Sequence, residues 1–130
     1  MTLGSDVSRL TTTPAGAAAQ GLSIVVPLYN EAAGLAVLHE RLTGLARTLK
    51  ARYGLACEVV YVDDGSGDNT LAIARTLGAD ALDIQVVSLS RNFGKEAALM
   101  AGLDHARLGA MLFMDGDGRG AGSIRRRPAL

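Results

Sequence analysis

Four short apolar runs, each closing on a polar or glycine-rich turn, recur along the chain: Leu22–Pro27, Glu58–Val62, Ile84–Leu89 and Ala110–Met114. They are nearly continuous in Val, Ile, Leu and Met rather than alternating with polar residues, so both faces of any sheet they form must be covered. Helical patterns separate them. From about Glu31 to Tyr53, Leu35, Leu38, Leu42, Leu45 and Leu49 repeat at three- and four-residue spacing and make one apolar stripe. Gly34 and Gly44 weaken that helix by about 1 kcal/mol each relative to alanine, and Gly54 is a natural stop. A second helix is expected over about Thr70–Leu77, capped by Ser66 or Asp68, and a third over about Glu96–Arg107. Strand and helix thus alternate, which specifies an α/β chain with a mostly parallel sheet and right-handed crossovers. Pro27 has no N–H to give to a ladder and should sit at a strand end.

In such sheets ligands bind outside the carboxyl ends of the strands, where the strand order reverses. Four segments fall at that edge: Pro27–Glu31, Asp63–Ser66, Arg91–Lys95 and Asp115–Asp117. Asp115 and Asp117 stand one residue apart after a buried run. Two carboxylates so placed suit a hard cation, Mg2+ or Mn2+, carrying a diphosphate. A solvated acidic turn is the plainer alternative. Asp63 and Asp64 can accept from the ring N–H groups of uracil or guanine or from ribose hydroxyls, or else bond local backbone. Tyr29 offers a base a flat face, with Asn30 and Glu31 as polar partners; the plainer reading has Asn30 cap the first helix and Glu31 meet its dipole, and both roles can hold together. Arg91 and Lys95 are cations near the expected diphosphate, ahead of a helix whose opening N–H groups add to them. Ser66 completes the candidate nucleotide-binding set. His39 and His105 are expected to pack or face solvent, and Cys57 to be a small core residue.

The bulk numbers narrow the classes. The 130 residues fit one domain, 48% are hydrophobic, and 13 Lys+Arg balance 13 Asp+Glu. No net charge favours nucleic acid. A single cysteine precludes an internal disulfide and fits a reducing compartment, so a cytoplasmic location is expected. No run approaches the roughly 20 apolar residues of a membrane span. Residues 1–21 lack the pattern of a secretory signal and are expected to form a disordered leader.

Taken together, Ser23-Ile-Val-Val-Pro-Leu-Tyr-Asn-Glu31, Val62-Asp-Asp-Gly-Ser66 with Asp68 and Thr70, Ser90-Arg-Asn-Phe-Gly-Lys95 and Asp115-Gly-Asp117 resemble family 2 glycosyltransferases in order and rough spacing. Arg-Asn-Phe-Gly-Lys-Glu-Ala-Ala is typical of the polyprenyl-phosphate sugar synthase subgroup, which includes dolichol-phosphate mannose synthase-like and bactoprenol glucosyltransferase-like enzymes. The resemblance covers about Leu22–Asp117. It implies a Rossmann-like, three-layer α/β/α GT-A fold, present as the nucleotide-binding half over 22–117 and incomplete at the C-terminus. It also implies a UDP- or GDP-linked sugar donor and, in full-length relatives at the cytoplasmic face of the membrane, a polyprenyl phosphate acceptor with inversion at the anomeric centre. By resemblance Pro27, Tyr29, Glu31 and Asp64 contact the nucleoside, Arg91 and Lys95 lie near the diphosphate, and Asp115 and Asp117 hold the cation. No catalytic residue is assigned, because the family's usual base for a hydroxyl acceptor lies in a half that is absent here. A saccharide hydroxyl acceptor, or a non-catalytic nucleotide-binding remnant, are the alternatives.

After Asp117 the resemblance ends. The subgroup continues with a Gln-His-Pro-Pro-like segment, whereas residues 118–130 hold glycines and three consecutive arginines without apolar periodicity, and are expected to be irregular. The segment Gly122-Ser-Ile-Arg-Arg-Arg127 is encodable as GGC AGC ATC CGC CGC CGN, which read from the third base gives Gln-His-Pro-Pro, so a shifted reading frame is one expectation and a genuine basic tail its rival. Asp115-Gly-Asp117-Gly118 also resembles the nucleophile loop of haloacid-dehalogenase phosphohydrolases. That loop follows a first strand and continues with Thr or Val, unlike Arg119 here. No G-x-G-x-x-G follows the first strand, which disfavours a dinucleotide dehydrogenase.

Overall fold

A computed structural model describes residues 21–114 and 121–126. Its elements run β1 (Gly21–Leu28), α1 (Leu35–Tyr53), β2 (Ala56–Asp63), α2 (Thr70–Ala74), β3 (Asp83–Ser88), α3 (Lys95–His105), β4 (Ala110–Met114) and β5 (Ala121–Arg126). The sheet order is β3-β2-β1-β4-β5. The β1–β2, β2–β3 and β1–β4 pairs are parallel, and β4–β5 is antiparallel.

The apolar strands divide their side chains between two cores. Ile24, Val26, Leu28, Cys57, Val59 and Tyr61 face α1 and α2, meeting the Leu35, Leu38, Leu42 and Ala46 stripe. Val25, Val60, Val62 and Met111 face α3 on the other side, against Ala98 and Ala106. Helices on both faces make three layers, as the unbroken apolar runs require. The chain builds outward from β1 through β2 to β3, then returns to place β4 on β1's other side. The strand order therefore reverses between β1 and β4, with α3 on the face opposite α1.

Pro27 occupies a central strand without interrupting the β1–β2 ladder. The Asp64 N–H donates to the Leu28 carbonyl at 2.8 Å, so Leu28 faces β2 and Pro27 faces the β4 side. Among the described residues the β1–β4 register runs from Leu22↔Ala110 to Val25↔Phe113, and no pair of that ladder falls to Pro27.

Several boundaries differ from the sequence reading. The first helix opens at Leu35, not Glu31, because Asn30 adopts a left-handed conformation (φ 55) and residues 31–34 form a turn closed by Gly34 and Leu35 N–H groups on the Glu31 carbonyl. Asn30 therefore does not cap α1; Gly34 holds the N-cap position. Gly54 does terminate α1, at φ 68, with its N–H on the Lys50 carbonyl at 3.0 Å. The second helix ends at Ala74, where the Thr76 hydroxyl takes the Ile73 carbonyl at 2.7 Å and competes with helical bonding. Gly21 belongs to β1 rather than to the leader, whose other residues lie outside those described.

The tail also departs from expectation. Residues 121–126, expected to be irregular, form β5 against β4, with Ala110↔Arg126 and Met111↔Arg125 in register. The outer edge of β4 is thereby paired rather than free. An unpaired row of strand N–H and C=O groups accepts extended chain whatever its side-chain pattern, so absent apolar periodicity does not forbid a strand there. Among the described residues, no helix is long and apolar enough to cross a membrane.

Gly102 sets how closely α3 approaches the sheet. A Cβ there would stand 2.2 Å from Val25 Cγ1 and 3.2 Å from Val62 Cγ2, both buried. Gly102→Ala gains about 1 kcal/mol of helix propensity but must displace Val25 in a filled core, which costs about 1–3 kcal/mol. We expect a lower urea midpoint for Gly102→Ala; a raised midpoint would contradict this packing.

Candidate functional site

The loops leaving β1, β2 and β3 at their carboxyl ends are tied into one platform. The Asn30 N–H donates to Ser66 Oγ at 2.9 Å, and the Gly67 N–H donates to Asn30 Oδ1 at 2.8 Å. The Glu31 N–H donates to Thr70 Oγ1 at 2.9 Å and the Ala32 N–H to Asp68 Oδ2 at 3.4 Å. The left-handed turn at Asn30 is thus held between its own side-chain oxygen and the Ser66 hydroxyl, a conformation asparagine tolerates better than most residues.

Within the β2–α2 loop the carboxylates have distinct duties. Asp63 is 3% exposed and accepts from Ser66 Oγ at 2.5 Å and the Ser66 N–H at 3.3 Å. Asp68 accepts from the Thr70 N–H at 3.0 Å and from the Thr70 hydroxyl. Those bonds, the Thr70 hydroxyl foremost, hold its carboxyl below the ordinary aspartate value. Asn69, not Ser66 or Asp68, holds the N-cap position of α2; Asp68 closes the turn leading into it, while Ser66 is committed to Asp63 and Asn30.

Asp64 reaches across to the β3–α3 loop. It is 4% exposed, and it accepts from the Phe93 N–H at 2.8 Å, the Gly94 N–H at 3.0 Å and Asn92 Nδ2 at 3.3 Å. Asn92 Nδ2 also lies 3.2 Å from the Asp64 carbonyl oxygen. Gly65 sits at φ +71 with its missing side chain aimed at this loop, where a Cβ would fall 2.3 Å from the Arg91 carbonyl carbon and 2.4 Å from the Asn92 nitrogen. The two loops meet backbone to backbone.

The side chains left facing outward are those able to meet a ligand. Tyr29 and Phe93 are about half exposed, at 49% and 50%. The Arg91 guanidinium carbon lies 4.9 Å from the Phe93 ring centre, a cation–π contact that stiffens an exposed cation. Lys95 opens α3. Of the residues singled out in the sequence, Pro27, Tyr29, Asn30, Glu31, Asp63, Asp64, Ser66, Arg91 and Lys95 all come to this one edge. The buried Asp63 bonds locally, at Ser66, as its alternative reading had it, whereas Asp64 accepts from the backbone of a distant loop rather than from its own turn. Asp115 and Asp117 lie outside the described residues; Met114, which precedes them, ends β4 beside β1 at the reversal of strand order.

Sequence reasoning passed over Gly65, Asn92 and Thr70 as site-builders. Two signals pointed to them. A glycine directly after two acidic residues at a strand end marks a turn needing positive φ, and the Asp68-x-Thr70 spacing fits a side-chain-closed turn.

Comparison with known proteins bears out the family resemblance. Residues 23–119 match the family described as Glycosyl transferase family 2. The chain is 42% identical over 97 residues to a dodecaprenyl-phosphate galacturonate synthase from Rhizobium johnstonii, covering 74% of this chain and 28% of that protein. It is 35% identical over 96 residues to a prophage bactoprenol glucosyl transferase homolog from Escherichia coli, covering 74% and 30%. Among solved structures, S. aureus TarS 1–349 in complex with UDP-GlcNAc superimposes with a TM-score of 0.62 at 30% identity, covering 75% of this chain and 26% of that one. A mannosyltransferase from Pyrobaculum calidifontis in complex with GDP-Man and Mn2+ gives 0.55 at 27% identity, covering 74% and 27%. The chain therefore spans less than a third of the length of these relatives.

Proposed function

The chain belongs to glycosyl transferase family 2, and from that membership we propose that it binds a nucleoside-diphosphate sugar with a divalent cation, as the donor half of an inverting sugar transferase acting on a polyprenyl phosphate. The observation that carries the reading is the hydrogen-bonded platform of three loops at the carboxyl edge, beside the strand that leads into Asp115. Such an edge at a reversal of strand order is where α/β sheets take nucleotides.

The parts divide as follows. Tyr29 and the Pro27–Glu31 segment receive the nucleoside, with Asp63 and Ser66 shaping the floor beneath it. Arg91 and Lys95 meet the diphosphate. Asp115 and Asp117, which follow β4 in the sequence, would supply carboxylate oxygens, a donor set that fits Mg2+ or Mn2+ when phosphate oxygens complete the shell. When bound, the cation neutralises charge on the departing nucleoside diphosphate. A lipid phosphate is already anionic and attacks without a strong general base, so the donor half carries most of the electrostatic work.

Mn2+ resonance tests the assignment of the cation site. The sharp signal of free Mn2+ should fall when protein and UDP or GDP are added together. Asp115→Asn and Asp117→Asn should each weaken that uptake at least about tenfold, the scale of removing one charged ligand from the cation. Unchanged uptake in both variants would remove Asp115 and Asp117 from the cation site.

A further inference from the structure

We infer that Thr70 and Ser66 are positioning residues: their hydroxyls hold the backbone of Asn30 and Glu31 in the turn that presents Tyr29 and Glu31 to the nucleoside of the donor. The inference deepens the donor-site reading above and rests on it for the ligand, though not for the geometry of the turn.

Strand β1 ends at Leu28 and helix α1 opens only at Leu35. The amides between them lie outside both elements and need acceptors from elsewhere. Three consecutive ones are met by side chains of the β2–α2 loop. The Asn30 N–H donates to Ser66 Oγ at 2.9 Å, the Glu31 N–H to Thr70 Oγ1 at 2.9 Å and the Ala32 N–H to Asp68 Oδ2 at 3.4 Å. The two hydroxyls are wired alike. Ser66 gives its proton to Asp63 Oδ1 and Thr70 gives its own to Asp68 Oδ1. A hydroxyl has one proton to give, and an ionised carboxylate only accepts, so each hydroxyl is left turning lone pairs toward an amide. Bonds to an ionised acceptor are about twice as strong as neutral ones, which locks that direction. Thr70 is fully buried, so water does not stand in for its hydroxyl.

The consequence falls on Tyr29 and Glu31. The peptide group before Tyr29 is fixed by its Leu28 carbonyl on the Asp64 N–H at 2.8 Å, and the one after it by the Asn30 N–H on Ser66. The peptide group before Glu31 is fixed by its N–H on Thr70, and the one after it by the Glu31 carbonyl, which accepts from the Gly34 and Leu35 N–H groups at 3.1 Å each. Both backbone torsions of each residue are thereby set from outside. Asn30, between them, is held left-handed at φ 55, with its Oδ1 accepting from the Gly67 N–H.

Two substitutions at one position separate the hydroxyl from the bulk of the side chain. Thr70→Val keeps the branched shape and loses the hydroxyl; Thr70→Ser keeps the hydroxyl and loses a methyl. We expect Thr70→Val to speed amide exchange at Glu31 and to weaken UDP and GDP at least about tenfold, the scale of a buried amide left without its acceptor. Uridine and guanosine should weaken by the same factor, because the turn serves the nucleoside. Thr70→Ser should restore affinity to within about threefold of the parent. A packing role predicts the reverse order, with Thr70→Val like the parent and Thr70→Ser impaired. That order, parent-like affinity in folded Thr70→Val, or unprotected exchange at the parent's Glu31 amide would each overturn the inference. Should Thr70→Val fail to fold, Ser66→Ala takes its place: it should weaken the same four ligands at least about tenfold, and parent-like affinity would overturn the inference. A parent that binds no nucleotide would defeat the donor-site reading itself, and the inference with it.

Discussion

Gly65→Ala is expected to abolish nucleotide binding and to cost several kcal/mol of stability. Gly65 combines a positive φ of +71 with a backbone neighbour on its open side. The left-handed conformation alone costs an L-residue about 1–2 kcal/mol. The added methyl would meet the Arg91 carbonyl carbon at 2.3 Å, the Asn92 nitrogen at 2.4 Å and Arg91 Cα at 2.8 Å. None of these atoms belongs to a side chain that can rotate away, so the loops must part, at a further cost of about 1–3 kcal/mol. Parting them pulls Phe93 and Gly94 off Asp64 and carries Arg91 and Lys95 out of place. Urea unfolding measures the first effect, and titration with UDP or GDP in the presence of Mn2+ the second. Parent-like affinity in a folded Gly65→Ala protein would mean that the two loops do not act together.

The second large effect lies at the opposite end of the strands. Glu58 is 1% exposed, yet it is a carboxylate in the middle of the sheet. Its Oε2 accepts from Ser23 Oγ and from the Arg107 N–H, each at 2.6 Å. Its Oε1 accepts from Gln85 Nε2 at 3.0 Å and Arg107 Nε at 3.1 Å. Ser23 Oγ in turn accepts from the Leu108 N–H at 3.0 Å. The network ties β1, β2 and β3 to the connection that leads into β4, and so fixes where β4 begins. Glu58→Ala would leave Ser23 and the Arg107 amide without their acceptor and open a void, costing about 2–4 kcal/mol.

The same network gives a pH signature. Burial pushes the Glu58 carboxyl up, but the bonds from Ser23, the Arg107 amide and Gln85, with the Arg107 charge, outweigh it together and hold it below the ordinary glutamate value. The folded state therefore binds this proton less readily than the unfolded chain. The stabilisation is fully present above the unfolded glutamate value of about 4.3 and is lost as pH falls through the lower folded value. Urea unfolding across acidic pH should show a steeper loss for the parent than for Glu58→Gln. Parallel curves would contradict the linkage.

The strands, the helices and their order were legible because burial on both faces demands unbroken apolar runs, which Ile24–Val26, Val59–Val62 and Met111–Met114 supply. Gly54 was legible as a helix stop for a local reason, its left-handed geometry. The gathering of Pro27–Glu31, Asp63–Ser66 and Arg91–Lys95 at one edge followed from parallel topology alone. What stayed hidden was which partner each polar group chooses. An aspartate at a strand end looks the same in sequence whether or not, like Asp64, it grips the amides of Phe93 and Gly94 some thirty residues on. Asn30 read as a partner for the base, with a helix cap as its alternative, because local pattern cannot see Ser66 and Gly67 arriving from the next loop. Glu58 read only as a strand start, since its partners lie on three other segments. The strand at Ala121–Arg126 was missed because pairing with β4 is decided by the edge that offers it, not by apolar periodicity.

Titration calorimetry of the folded protein with UDP and with GDP, in Mn2+ and again with excess chelator, tests most directly whether the gathered strand-end loops form a metal-dependent donor site. We expect heat of binding from at least one of the two nucleotides in Mn2+ and its loss on chelation. Folded protein that releases no Mn2+-dependent heat with either nucleotide would contradict the account.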